Sequence, residues 1–243
     1  MYLKNDIYIQ PGMKVSEIIL SNPYFMMMLE HFGIGLVVHE KTVEQICREN
    51  NIRIELFLTF ANLFNGHTSG ISNVEYSFND IKTIIEFLKS SHRYYMEEKF
   101  PTIRSNIQQM FELNDQSEIL MAGSFFNEYY NEVRDHLDYE NKVVFPYVLN
   151  LYNQLGQKIQ DEDSNGYSAA EYREHHDNIE EKLTDLKNLL IKYLPLKQDQ
   201  KIRRKLLFSL FELEYDLHIH SQIEDSILIP LVEQMENHIK QRY

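Results

Sequence analysis

Apolar residues recur along this chain every three or four positions, and the repeat persists through most of its length. One stripe runs through Ile81, Ile85, Leu88, His92 and Tyr95. A second takes in Ala122, Phe125, Tyr129, Glu132, His136, Glu140 and Val143. A third carries Ala169, Tyr172, His176, Ile179, Leu183, Leu186 and Leu190. A fourth carries Leu206, Leu210, Leu213, Leu217, His220, Glu224, Ile227 and Leu231. Each has the phase of one buried helix face, and period-2 strand patterns are nearly absent. Breaks fall at Asn114-Asp115, at the polar run 161–166, and between Pro195 and Asp199. The pattern predicts an all-α fold, an antiparallel up-down-up-down four-helix bundle with short connections. A turn-rich stretch at 65–73 separates residues 1–66, a small helical N-terminal domain, from the bundle at 74–243.

Each stripe is interrupted by a histidine. His92, His136, His176 and His220 are spaced 44, 40 and 44 residues apart, so antiparallel helices of similar length bring them to one level. Twice the histidine is followed four residues later by a glutamate and six after that by a proline: His136, Glu140, Pro146, and His220, Glu224, Pro230. Positions i and i+4 share a helix face, so each copy offers an imidazole and a carboxylate to one point. Buried together without a cation these groups would be strongly destabilising. A metal pair removes that cost, and the donor types suit iron, manganese or zinc. Four imidazoles, two bridging carboxylates and a bridging oxo or hydroxo group fill two octahedral ions except for one open position on each.

His175 rivals His176, but only His176 shares the phase of Ile179, Leu183 and Leu186. Taken singly, a buried histidine is more often a satisfied core residue, and a single His-x-x-x-Glu a surface pair; it is the duplication that points to ligation. Glu132, one turn before His136, is open to three roles: a partner behind the ligands, a proton carrier, or a salt-bridged edge residue. His218 lies off the fourth stripe, and His31, His39, His67 and His238 carry no partner pattern.

Composition narrows the class. The 243 residues carry a formal net charge of −13, a field that repels phosphate backbones, so nucleic acid is not an expected partner. The short cluster Lys201, Arg203, Arg204, Lys205 reads as a solvated helix start. Cys47 is the one cysteine, which excludes an intrachain disulfide and fits a reducing compartment. No apolar stretch approaches the span of a bilayer, and the first residues lack the apolar core of a signal peptide. The expectation is a cytoplasmic protein with no membrane partner.

At the histidine and glutamate motifs the chain resembles the hemerythrin-like di-iron proteins, and most closely the repair-of-iron-centres (iron–sulfur cluster repair di-iron) family. The matching segments are SSHRYYMEEKFP, DHLDYENKVVFP, EHHDNIEEKL and DLHIHSQIEDSILIP. The resemblance implies an oxo- or hydroxo-bridged pair of Fe ions held by His92, His136, Glu140, His176, His220 and Glu224; Tyr172 and Glu132 are expected behind the ligands. Tyr172 and Glu180 flank His176 where an oxygen carrier of this kind would hold one more histidine, so simple reversible oxygen carriage is not implied. Dioxygen or nitric oxide is the implied ligand, damaged iron–sulfur proteins the implied partners, and protection of clusters under nitrosative or oxidative stress the implied role. Sensing without turnover is the alternative, and a structural protein with zinc or no metal the blandest one.

The plainer reading of residues 13–64 is a small helical packing or dimerising module, and residues 15–52 resemble the small domain that precedes the bundle in that family. It usually carries an adjacent cysteine pair after Gly-Ile; here the matching positions are Val37 and Val38. Met26, Met27 and Met28 then read as core or interface residues rather than a metal box, Cys47 as buried and inert, and the Met/Phe content is compatible with a homodimer through this module.

Overall fold

A computed structural model of the chain describes residues 7–68, 76–114, 117–156, 167–175, 181–194 and 199–241. The fold is all-α. Four short helices come first: α1 (Val15–Ser21), α2 (Phe25–His31), α3 (Val43–Glu49) and α4 (Ile54–Leu63). Long helical runs come next. The first is α5 (Ile81–Tyr94) continuing into α6 (Phe100–Asn114), and the second is α7 (Ser117–Tyr139) into α8 (Phe145–Gly156). Then come α9 (Ala169–His175) and α10 (Glu181–Asn188), and last α11 (Gln200–Ile223) into α12 (Ile229–Lys240). Among the described residues the sole extended pairing is an isolated bridge between Lys14 and Thr42, and no helix is long and apolar enough to cross a membrane.

The chain divides into two compact units. Met1–Ser90, Val143–His176 and Ile219–Tyr243 form one; Ser91–Lys142 and Asp177–His218 form the other. In the first, Phe87 of α5 meets Phe32 at 4.7 Å and Phe60 at 4.8 Å between ring centroids, both near edge-on, and His31 at 5.3 Å. Arg53, just before α4, grips the Asp80 carboxylate with Nε 3.0 Å from both oxygens, at the turn that opens α5. The small N-terminal helices are therefore fastened to α5 by an aromatic cluster and a bidentate ion pair. Thr42 and Gln45 form a reciprocal cap on α3, and the Asn62 amide exchanges two hydrogen bonds with the Ile9 backbone.

Phe25, Met27 and Met28 are buried in this unit. They are core; the large apolar residues that stand exposed in this part of the chain are Ile7, Tyr8, Leu20, Leu36 and Val37. Val37 is exposed and Val38 buried. Cys47 is buried, and burial pushes its thiol up to about 12.

In the second unit the apolar positions of the four stripes close on one another. Tyr95, Phe100, Ile103, Tyr129, Val133, Leu137, Leu183, Leu186, Leu206, Leu210, Leu213 and Leu217 share one core. Buried charge there is compensated: Glu214 takes a 2.8 Å hydrogen bond from Thr184 and pairs with Lys187, while Arg203 binds Asp199 and the Leu190 and Leu194 carbonyls.

Every long run contains a π-helical turn, at Tyr95–Lys99, Glu140–Val144, Leu189–Tyr193 and Glu224–Leu228. Each begins six residues before a proline: Pro101, Pro146, Pro195 and Pro230, of which Pro195 lies outside the described residues. Proline lacks an N–H and its ring crowds the carbonyl four residues back. Widening the turn ahead of it relieves that crowding, and the N–H just before the proline reaches back five residues: Phe100 to Tyr95, Leu194 to Leu189, Ile229 to Glu224. The extra residue also rotates the helix beyond it, a shift the regular repeat does not foresee. Val143, expected on the buried stripe, is 37% exposed, and Val144 takes its place at 0%.

Two outcomes are expected from this packing. Phe87→Ala should lower stability by about 3–5 kcal/mol, read from the midpoint of denaturant unfolding. Because the folded Cys47 thiol ionises near 12 and an exposed thiol nearer about 8.5, its contribution is intact below the unfolded value and is lost as pH rises through the folded one. Native protein at about pH 8 should resist alkylation that goes to completion in denaturant.

Candidate metal centre

Two helix runs deliver donors in the second unit. His92 lies near the end of α5, His136 near the end of α7, and Glu140 opens the π-turn that comes after α7. The Glu140 carboxylate is 1% exposed and has a different imidazole on each oxygen: His136 Nε2 is 3.2 Å from Oε1, and His92 Nε2 is 3.4 Å from Oε2. His92 is also buried, while His136 keeps 12% of its side chain exposed.

The first unit holds a second set. His220 and Glu224 share a face of the α11 run, with Glu224 opening its π-turn. His220 Nε2 lies 3.4 Å from Glu224 Oε2, and both side chains are buried. The Tyr172 hydroxyl on α9 donates to Glu224 Oε1 at 2.8 Å. That bond fixes the carboxylate's rotation and leaves Oε2 toward the imidazole, the support that ligating carboxylates receive in metal proteins.

These donor atoms suit a hard or borderline metal. Nitrogen and oxygen ligands about 2.1 Å from one ion and roughly at right angles stand about 3 Å apart, close to the separations found. Imidazole with carboxylate, and no thiolate, fits iron, manganese or zinc rather than copper(I) or an iron–sulfur cluster. His92 and His136 each meet Glu140, so its carboxylate is common to both imidazoles.

His176 lies outside the described residues, and the His175 side chain does too. Glu132 is exposed and pairs with Lys182 on the surface of its own unit; of the three roles open to it, the edge ion pair is the one its geometry supports. His31 packs edge-on to Phe87, His67 sits 5.5 Å from the Tyr8 ring, and His238 is 6.1 Å from Phe78.

The periodic reading missed one polar feature. Asp216, one turn before His220, is 1% exposed and faces the fully buried Tyr95 hydroxyl, which Ser91 also reaches. Burial first, then the Asp216 charge, hold the phenol well above its usual range. Tyr95 stays protonated. The signal was present as spacing, since Asp216 stands four residues before one candidate ligand and Tyr95 three after another.

Fold and donors together define a class: an all-helical protein with a His/Glu cluster that can bind metal. No family model matches the chain. Over 217 residues it is 19% identical to the iron–sulfur cluster repair protein ScdA of Staphylococcus haemolyticus (strain JCSC1435), an alignment that takes in 88% of this chain and 95% of that protein.

Tyr172→Phe removes the bond to Glu224 without changing the ring that fills the space. It is expected to leave helical content unchanged and to weaken metal retention by about 10–100-fold in chelator competition.

Proposed function

We propose that this chain is a hemerythrin-like, non-haem di-iron protein of the cytoplasm that protects or repairs iron–sulfur clusters under nitrosative or oxidative stress. The observation that carries the reading is Glu140: one buried carboxylate with a separate imidazole on each oxygen is the arrangement expected of a bridge between two ions. On this reading the ligands are the residues of the sequence motifs, His92, His136, His176 and His220 with the carboxylates of Glu140 and Glu224 as bridges. Similarity to a repair protein over most of the chain supports the role.

A bound iron pair would supply one-electron redox chemistry and an open position for nitric oxide or dioxygen. The chain's own residues set the conditions for it. Tyr172 holds the Glu224 carboxylate in one orientation. Burial of His92, Glu140, His220 and Glu224 keeps water from competing for the donors. His136, the more exposed imidazole, is the member that solvent can reach. Tyr95 keeps its proton beside the Asp216 carboxylate.

A second reading, binding of the diatomic as a signal without turnover, is favoured by Val37 and Val38, which offer no thiol where a cysteine pair would pass iron or electrons onward.

Protein purified from iron-replete cells without added metal is expected to carry two iron ions per chain by elemental analysis, with an oxo-to-iron band in the near ultraviolet. Glu140→Gln should lose both ions together, because the bridge is shared; loss of one ion alone would contradict the bridging assignment. In extracts treated with nitric oxide, the native protein should restore a cluster-dependent dehydratase and Glu224→Ala should not. Full restoration by that variant would refute the role, and consumption of nitric oxide over many turnovers would refute the signalling alternative.

A further inference from the structure

Seven of the chain's 24 Lys and Arg residues fall within residues 187–205, against a single acid, Asp199, in a protein whose net charge is −13. This run builds a defined surface. Along one face of α11, Lys201, Arg204 and Lys205 are exposed, and one and two turns on come Phe208 at 67% and Phe211 at 41% exposure. The π-turn after α10 adds Lys192, Ile191 at 58% and Tyr193 at 73%.

Two of the run's charges are satisfied internally and make the surface rigid. The Arg203 guanidinium binds Asp199 and the Leu190 and Leu194 carbonyls, so the end of the π-turn is fastened to the first turn of α11. Lys187 pairs with buried Glu214 and lies 4.7 Å from the Phe211 ring centroid. Between Arg204, Leu207, Phe208 and Phe211 runs an apolar groove of about 370 Å³. Lone exposed apolar residues need no explanation; four of them set among four exposed cations, with no exposed acid along α11 from Gln200 to Phe211, do.

From this surface we infer that residues 191–193 and 201–211 dock the protein on an anionic lipid surface, with the cations at the headgroups and Phe208, Phe211, Ile191 and Tyr193 entering the interface. Cations beside protruding aromatic and aliphatic side chains are what an interfacial binder presents, and tyrosine favours the headgroup level. Lys and Arg near such a surface are drawn by its negative potential within a Debye length, so the acidic remainder of the chain is screened from it. A nucleic acid fits less well: Ile191 and Leu207 cannot stack on bases, and the net charge of −13 opposes an extended polyanion. An acidic segment of another protein would use the cations, but it gives no account of apolar side chains that stand out from the surface. The docking is peripheral and needs no spanning helix, and it does not depend on the metal reading.

The chain contains no tryptophan, so Phe208→Trp supplies a single reporter. Full-length protein, as purified, is mixed with vesicles of phosphatidylcholine alone, or of phosphatidylcholine with phosphatidylglycerol. The expected result is co-sedimentation with the anionic vesicles only, weakened at least about tenfold by raising salt or by Lys201→Glu with Arg204→Glu. Emission from the introduced indole should shift to the blue on anionic vesicles and be quenched by brominated lipid. Phe208→Ser with Phe211→Ser should reduce binding while helical content and iron content stay unchanged. Failure to sediment, equal binding to neutral vesicles, an unmoved emission, or retention of single-stranded DNA or an acidic peptide in place of vesicles would each overturn the inference.

Discussion

Carboxylates do not sit inside apolar helical cores without compensation, and that constraint organises this molecule. Glu140 and Glu224 are buried almost completely, each beside imidazole nitrogen. Taking a carboxylate out of water costs several kcal/mol even after relaxation. A histidine offsets that only when protonated, or when a cation joins it. The same compensation is visible nearby without metal donors: buried Glu214 has Lys187 and Thr184, and buried Asp199 has Arg203. Where lysine or arginine is the partner, the charge is neutralised for structure. Where the partners are imidazoles on both oxygens of one carboxylate, the natural neutraliser is an ion.

The backbone around those carboxylates departs from the regular α-helix. Glu140 and Glu224 are each the first residue of a π-turn, and each has a proline six residues on. Such turns are common where a helix carries function. Here they have a local cause, the crowding and missing donor of proline, and a consequence at a distance, because the stripe beyond the two carboxylates is re-phased. Val144 rather than Val143 faces inward for that reason. The π-turns at Tyr95 and Leu189 have the same geometry without a carboxylate at their start.

Charge is distributed unevenly as well. An acidic chain concentrates its cations on one short run, and the run's two buried members, Lys187 and Arg203, hold in place the exposed ones around them. From sequence alone that cluster looks like a solvated helix start. Its apolar component comes from Tyr193 and Ile191 on one run and Phe208 and Phe211 on the other, all four standing out from the surface.

The helices of the long runs were legible in the sequence, because a 3.6-residue apolar repeat has few other solutions and because polar breaks and prolines mark its ends. So was the pairing of His136 with Glu140 and of His220 with Glu224, since residues four apart on a helix must meet. Three things needed the tertiary structure. Even spacing can set histidines of different runs at one level but cannot say which atoms meet, so only the fold brings His92 of α5 to the second oxygen of Glu140, or the Tyr172 hydroxyl to Glu224. Periodicity records which face is polar but not which neighbour answers it, so Glu132 could turn out to be an edge residue paired with Lys182. And a repeat counted in α-helical turns cannot register an inserted residue, because the backbone widens only when proline and packing act on it together.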